Sequence, residues 1–156
     1  MNTLTAGQTA PGFTLTDQHQ QAIALSDLLQ QGRVLVYFYP KAMTPGCTVQ
    51  ACELRDHLAE LSSQGVTVVG ISTDSPQRLA KFAERDALNF TLLADEDHSV
   101  AEAFGVWGTK KFMGKVYDGL HRISFLINQD GSIAKVFDSF KTKDHHQVVL
   151  DYLAQA

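Results

Sequence analysis

Both cysteines of this chain, Cys47 and Cys52, lie in Thr44-Pro45-Gly46-Cys47-Thr48-Val49-Gln50-Ala51-Cys52, just after the apolar run Val34-Leu35-Val36-Tyr37-Phe38-Tyr39 that ends at Pro40. A strand feeding a short Pro/Gly loop and then a helix puts Cys47 in the helix's first turn. Unpaired backbone N–H groups and the positive dipole end favour an anionic sulfur there. Cys47 therefore reads as a thiolate nucleophile, against the plainer reading of a small buried apolar side chain. Thr44, three residues earlier, can present a hydroxyl to the sulfur or to a bound oxygen, or else cap the helix. Pro45 shapes the loop and withholds a backbone donor. Arg122 opens an apolar stretch, Ile123-Ser124-Phe125-Leu126-Ile127, where a guanidinium sits awkwardly unless it meets an anion or turns to solvent. A thiolate surrounded by helix-start amides, a hydroxyl and a guanidinium suits attack on a peroxide O–O bond, because those donors stabilise the charge that moves to the leaving oxygen.

Cys52 is five residues beyond Cys47. On an ideal helix that spacing is ~7.5 Å of rise and a Cα separation of ~8.6 Å, whereas a disulfide needs less than ~7 Å. If the two are to join, the first turns of the helix must unwind; the alternative is a half-buried helical cysteine with no redox task. Metal binding is the next competitor, with His57 as the extra ligand, but five-residue steps turn by ~140° each and spread Cys47, Cys52 and His57 around the helix. Neither a C-x-x-C nor an H-x-x-x-H spacing occurs. His145-His146 reads as a solvated surface pair, and His19, His98 and His121 have no partners nearby in sequence. Glu53 and Asp56 either pair with Arg55 or lie on a solvated face.

The elements that must position these groups follow from periodicity. Phe13-Thr14-Leu15 and Ala22-Ile23-Ala24-Leu25 around a polar turn predict an N-terminal hairpin, and Ser26-Asp27 starts a short helix. Val34 to Tyr39 is a core strand. The helix after it carries Val49, Leu54, Leu58 and Leu61 from Thr48 to Ser62 and ends near Gly65. Val66 to Ser72 is a second buried strand, and Ser75-Pro76 caps the helix bearing Leu79 and Phe82. Phe90 to Leu93 is a third strand, and Asp95-Glu96-Asp97 leads into a helix at Ser99 to Phe104 whose first turn suits acids. Gly105 to Gly119 reads as the longest loop, with Lys110 to Asp118 a basic, flexible connection. Trp107 and Phe112 there either cover an apolar entrance or anchor in the core. Strands at Arg122 to Ile127 and Ser132 to Phe137 form a hairpin about Asn128-Gln129-Asp130-Gly131, and Asp144 to Leu153 is a closing helix. This order predicts an α/β fold with a mixed central sheet flanked by helices, as one domain over residues 1–156.

Composition narrows the function. At 156 residues the chain can bury a core without staples. A formal net charge of -4 gives no general attraction to nucleic acid or anionic membranes, which leaves proteins and small molecules as partners. The N-terminus lacks the pattern of a secretory signal and no apolar run approaches ~20 residues, so the expectation is a cytoplasmic protein. In a reducing compartment, two close cysteines point to catalysis or metal rather than to a structural bridge.

Phe38-Tyr39-Pro40, Thr44-Pro45-Gly46-Cys47-Thr48, Cys52 and Arg122 together resemble the peroxiredoxins, specifically the PrxQ or bacterioferritin comigratory protein group. The likeness runs from Ala6-Gly7 and Ala10-Pro11 through Gly70-Ile71-Ser72-Thr73-Asp74 and Phe104-Gly105-Val106-Trp107-Gly108 to Asp130-Gly131. It implies a thioredoxin-like fold and a thiol-dependent peroxidase acting on hydrogen peroxide and organic hydroperoxides. Cys47 would be the peroxidatic cysteine, Cys52 the resolving one, and Thr44 and Arg122 would polarise the peroxide. It further implies recycling by thioredoxin, with glutaredoxin as the other candidate reductant, and no dissociable cofactor. An intrachain cysteine pair fits a monomer. Gln50 departs from the group's pattern, in which many members carry Glu. Two other readings compete: a general thiol-disulfide oxidoreductase, which the lack of C-x-x-C disfavours, and a non-catalytic redox-sensing or chaperone-like module.

Overall fold

Alternation of apolar side chains along the strand at Arg33–Phe38 decides the layering. Leu35, Tyr37 and, just beyond, Tyr39 face one core, while Val34, Val36 and Phe38 face another. A strand buried on both faces must lie inside a sheet with cover on each side. The computed structural model, which describes residues 1–155, has this arrangement; position 156, the last of the expected domain, lies outside the described residues.

The elements in chain order are β1 (Thr14–Asp17), β2 (Ala22–Ala24), α1 (Leu25–Leu29), β3 (Arg33–Phe38), α2 (Pro45–Asp56), α3 (Leu58–Ser63), β4 (Val66–Ser72), α4 (Pro76–Arg85), β5 (Thr91–Ala94), α5 (Ser99–Phe104), β6 (Trp107–Phe112), β7 (Lys115–Leu120), β8 (Ser124–Ile127), β9 (Ile133–Phe137) and α6 (His145–Gln155). Seven strands form one mixed sheet in the order β2-β1-β5-β4-β3-β8-β9, and β1 and β2 make the expected N-terminal hairpin. β3 runs parallel to β4 and antiparallel to β8. One core holds side chains from α2, α4 and α6 against the sheet, and the other is built with α1 and α5.

Two expectations are corrected. The segment Lys110 to Asp118 is not a flexible connection: β6 and β7 pair in antiparallel register from Trp107–Leu120 to Phe112–Lys115, forming a separate two-stranded ribbon. Its polar, basic sequence hid the pairing because the ribbon buries little along most of its length. The helix from Thr48 to Ser62 is in fact two helices, broken at His57, whose φ of -114° and ψ of 13° leave the helical region. No glycine or proline marks that break; the His57 ring instead bonds back to the Glu53 carbonyl at 2.8 Å, within its own turn.

The topology explains why residues 47 and 122 meet. Because β3 and β8 are antiparallel neighbours, the end of β3 lies beside the start of β8, and Phe38 N–H bonds to Ile123 C=O at 3.0 Å. Whatever follows β3 is therefore brought next to whatever precedes β8.

Candidate active site

After β3 the chain crosses from Tyr39 to Thr44 in a loop held by a buried carboxylate. Asp74, 8% exposed, accepts from Ala42 N–H at 2.8 Å, from the Ser72 hydroxyl at 2.7 Å and from Arg78 Nε at 3.0 Å. Met43 adopts a positive φ of 67°, an uncommon conformation for a side chain of its kind, and this loop supports it. Pro45 then occupies the first helical position with φ already suited to the helix. The first intrahelical bond runs from Thr48 N–H to Thr44 C=O at 2.9 Å, so the N–H groups of Gly46 and Cys47 lie ahead of the helical ladder.

Cys47 sits in this first turn and is 1% exposed. Arg122 donates from Nη2 toward Cys47 Sγ at 3.4 Å and from Nη1 to Gln50 Oε1 at 2.6 Å. A fork that grips a fixed amide with one arm holds the other arm over the sulfur. The guanidinium thus meets the sulfur in the first turn of the helix, where the ladder leaves N–H groups unpaired. Arg122 turns inward, not to solvent as the competing reading had it.

Thr44 is the N-cap by backbone position, but its hydroxyl does not cap the helix; it donates to Lys41 C=O at 2.8 Å. With that proton committed, its remaining lone pairs are free to accept. Cys52 lies on the same intact helix as Cys47, half-buried, and both sulfurs are free thiols. Desolvation pushes the Cys52 thiol above its ordinary range, and Arg55 pulls weakly the other way. The structure therefore unites Cys47, Arg122 and the Thr44 turn, and keeps Cys52 apart.

Gln50 is the site residue that sequence reasoning undervalued. It is 1% exposed, and its position one turn after Cys47 was the available signal. Lys110 on the β6–β7 ribbon is the other. Its Nζ donates to Leu120 C=O at 2.8 Å, and burial together with Arg122 lowers its pKa while Cys47 opposes the change. The ribbon borders an open recess of about 300 Å³ with Pro40, Lys41, Trp107, Lys110, Tyr117 and Leu120 in its wall. Trp107 thus flanks a recess next to the loop, whereas Phe112 is 65% exposed near the ribbon's tip and does neither thing expected of it.

The pair His145-His146 is not solvated. His145 is fully buried, with Nε2 2.8 Å from the Ser124 hydroxyl, and His146 is 7% exposed with its ring stacked on His57 at 4.1 Å. Adjacent residues on α6 contact different neighbours, β8 and α2, so their divergence from one another did not expose either. Burial drives the His145 pKa down to about 3, with the charges of His146 and Arg122 adding to it. Glu53 is 3.6 Å from His146, and Asp56 pairs with Arg55 at 2.9 Å.

The chain is similar to known proteins over nearly its whole length. The AhpC/TSA family matches residues 6–136. The chain is 64% identical over 155 residues to peroxiredoxin Bcp of Escherichia coli strain K12, covering 99% of each. The crystal structure of peroxidoxin BcpB from Mycobacterium tuberculosis superposes with a TM-score of 0.87 at 38% identity, covering 97% of both chains. The bacterioferritin comigratory protein of Xanthomonas campestris, whose structures address alkyl peroxide reduction, superposes with a TM-score of 0.85 at 27% identity, covering 92% of this chain and 90% of that one.

Proposed function

The chain belongs to the AhpC/TSA family, among its Bcp and PrxQ peroxiredoxins, and is a thiol peroxidase; from that premise we propose that Cys47 is the peroxidatic cysteine and Cys52 the resolving one in an intrachain two-cysteine cycle. The observation that carries this reading is the Arg122 fork, one arm on Gln50 and the other 3.4 Å from Cys47 Sγ. A guanidinium clamped over a sulfur at a helix start is placed to stabilise both the attacking thiolate and the oxygen that leaves.

In the first step Cys47 S⁻ attacks the terminal oxygen of ROOH. The S–O bond forms, the O–O bond breaks, and RO⁻ takes a proton to leave as water or alcohol. Arg122 and the N–H groups of Gly46 and Cys47 receive the developing charge. Thr44, its own proton held by Lys41 C=O, accepts from the hydroperoxide O–H and orients it. Cys47 is now a sulfenic acid. In the second step the Cys52 thiolate attacks Cys47 Sγ, the S–S bond forms and hydroxide departs, protonated to water. A dithiol protein, thioredoxin in our reading with glutaredoxin as the other candidate, then reduces the disulfide by thiol exchange. Hydrogen peroxide and organic hydroperoxides are the substrates, and the recess beside Pro40 and Trp107 is where an organic group would lie. The protein would act as a monomer of one domain in the cytoplasm, where a reductant is present; among the described residues no helix is long and apolar enough to cross a membrane.

Rapid-mixing kinetics with thioredoxin-linked turnover tests the assignment. Cys47→Ser should consume no peroxide. Cys52→Ser should retain the first oxidation, trapped as a sulfenic acid, and lose thioredoxin-linked cycling. A Cys52→Ser protein that turns over at the wild-type rate removes Cys52 from the mechanism.

A further inference from the structure

Glu53 on α2, His57 at the break that ends α2 and His146 on α6 form a polar cluster that the peroxidase cycle does not use. Each residue offers one ligand atom, and the three atoms lie within 4.8 Å of one another. Glu53 Oε2 is 3.6 Å from His146 Nε2 and 3.9 Å from His57 Nδ1. Those separations are too long for good hydrogen bonds, so the carboxylate satisfies neither ring. His146 is nine-tenths buried, and among the described residues its Nδ1 has no partner. Ligand atoms of a tetrahedral ion with bonds of ~2.0–2.1 Å stand ~3.4 Å apart. Glu53 Oε2 and His146 Nε2 already stand near that spacing, and His57, whose Nδ1 is held by the Glu53 carbonyl, would bring Nε2 to the same ion by tilting out of its stack on His146.

We propose that Glu53, His57 and His146 bind a divalent transition-metal cation of the zinc class, bridging α2 to α6. Two imidazoles and one carboxylate are a ligand set that borderline divalent ions accept, with a fourth position open to water. The Glu53 carbonyl, 2.8 Å from His57 Nδ1, fixes that ring, as carbonyls commonly do for metal-bound histidines. Spacing along the chain did not disclose the set, because its third member comes from a helix about ninety residues away. Since Glu53 follows Cys52 directly, a cation held here ties the part of α2 just beyond the second cysteine to α6.

The test uses a Cys47→Ser/Cys52→Ser protein, so that thiols cannot bind the ion. Titration with Zn²⁺ by calorimetry should show one site per chain. Co²⁺ should give a visible d–d band without a thiolate charge-transfer band. Glu53→Gln and His57→Gln, both at half-exposed positions, should each weaken binding on the order of 100-fold or more while circular dichroism shows the fold intact. Zn²⁺ should slow amide exchange in the second half of α2, and not in Glu53→Gln. Absence of stoichiometric binding, or binding that both substitutions leave unchanged, overturns the proposal, and neither result bears on the roles of Cys47 and Cys52.

Discussion

At the scale of single residues, the site depends on how Arg122 is held. An arginine side chain is long and loses much rotamer freedom when fixed, so its aim has to be supported by a partner. Gln50 supplies that partner through Oε1 at 2.6 Å, while its Nε2 is buried without a partner among the described residues. A neutral amide offers an acceptor to the guanidinium without placing a second negative charge beside the sulfur, which a glutamate would do. Gln50→Leu keeps the volume and removes the acceptor. A buried bond to a charged donor contributes about 1.5–3 kcal/mol, so the rate of Cys47 oxidation should fall on the order of tenfold in stopped-flow measurements with hydrogen peroxide. An unchanged rate would mean that Arg122 holds its position without Gln50. Cys47 was legible in the sequence because Pro45-Gly46 put it at a helix start, and Arg122 because a guanidinium opening an apolar strand is out of place. Gln50 was legible only in its position one turn after Cys47, since a glutamine on a helix looks the same whether it faces solvent or a guanidinium.

At the scale of elements, the proposed cycle requires α2 to be stable enough to present Cys47 and weak enough to release it. The segment between the cysteines is tied to the end of α4: Arg85 Nη2 donates to the Thr48 hydroxyl at 2.8 Å, and Arg55 donates to the Asp86 carbonyl just beyond. The first of these lies within the turns that must unwind for a Cys47–Cys52 bond. Thr48→Val removes the acceptor and retains the shape. Because that hydrogen bond is exposed and has a modest net value, disulfide closure after a peroxide pulse should quicken by about two- to fivefold, with Cys47 oxidation unchanged; closure at the wild-type rate would place the barrier elsewhere. Strand-loop-helix around Thr44-Pro45-Gly46-Cys47 was legible because proline and glycine punctuate it. The α2–α3 break was not, since it arises from the His57 ring and its carbonyl partner. The β6–β7 ribbon was not either, because Lys110-Lys111-Phe112-Met113-Gly114-Lys115 has neither a buried face nor an apolar alternation to betray a strand.

At the scale of the whole molecule, the core beneath the site contains an imidazole that pays for its burial as the medium turns acidic. The α/β order and the mixed sheet were legible from the strand and helix sequence, but His145 was not, because its burial follows from how α6 docks and not from its neighbours in the chain. Its ring lies by Phe140 at 4.4 Å and Tyr37 at 5.8 Å, with Ser124 as hydrogen-bond partner; the charged or titratable groups acting on it are His146 and Arg122. In the folded protein its pKa is lowered from 6.5 to about 3. Above pH 6.5 the ring is neutral in both folded and unfolded chains and its burial carries no proton penalty. As pH falls below that value, the unfolded chain takes up a proton that the folded one refuses, and stability declines by up to about 1.4 kcal/mol per pH unit until the folded ring itself titrates near 3. His145→Gln can keep a hydrogen bond to Ser124 but has no proton to gain, so its unfolding free energy should fall less steeply with acid. Urea denaturation at a series of pH values between 7 and 4 measures both slopes. Equal slopes for the two proteins would show that His145 is not among the groups through which acid opens the fold.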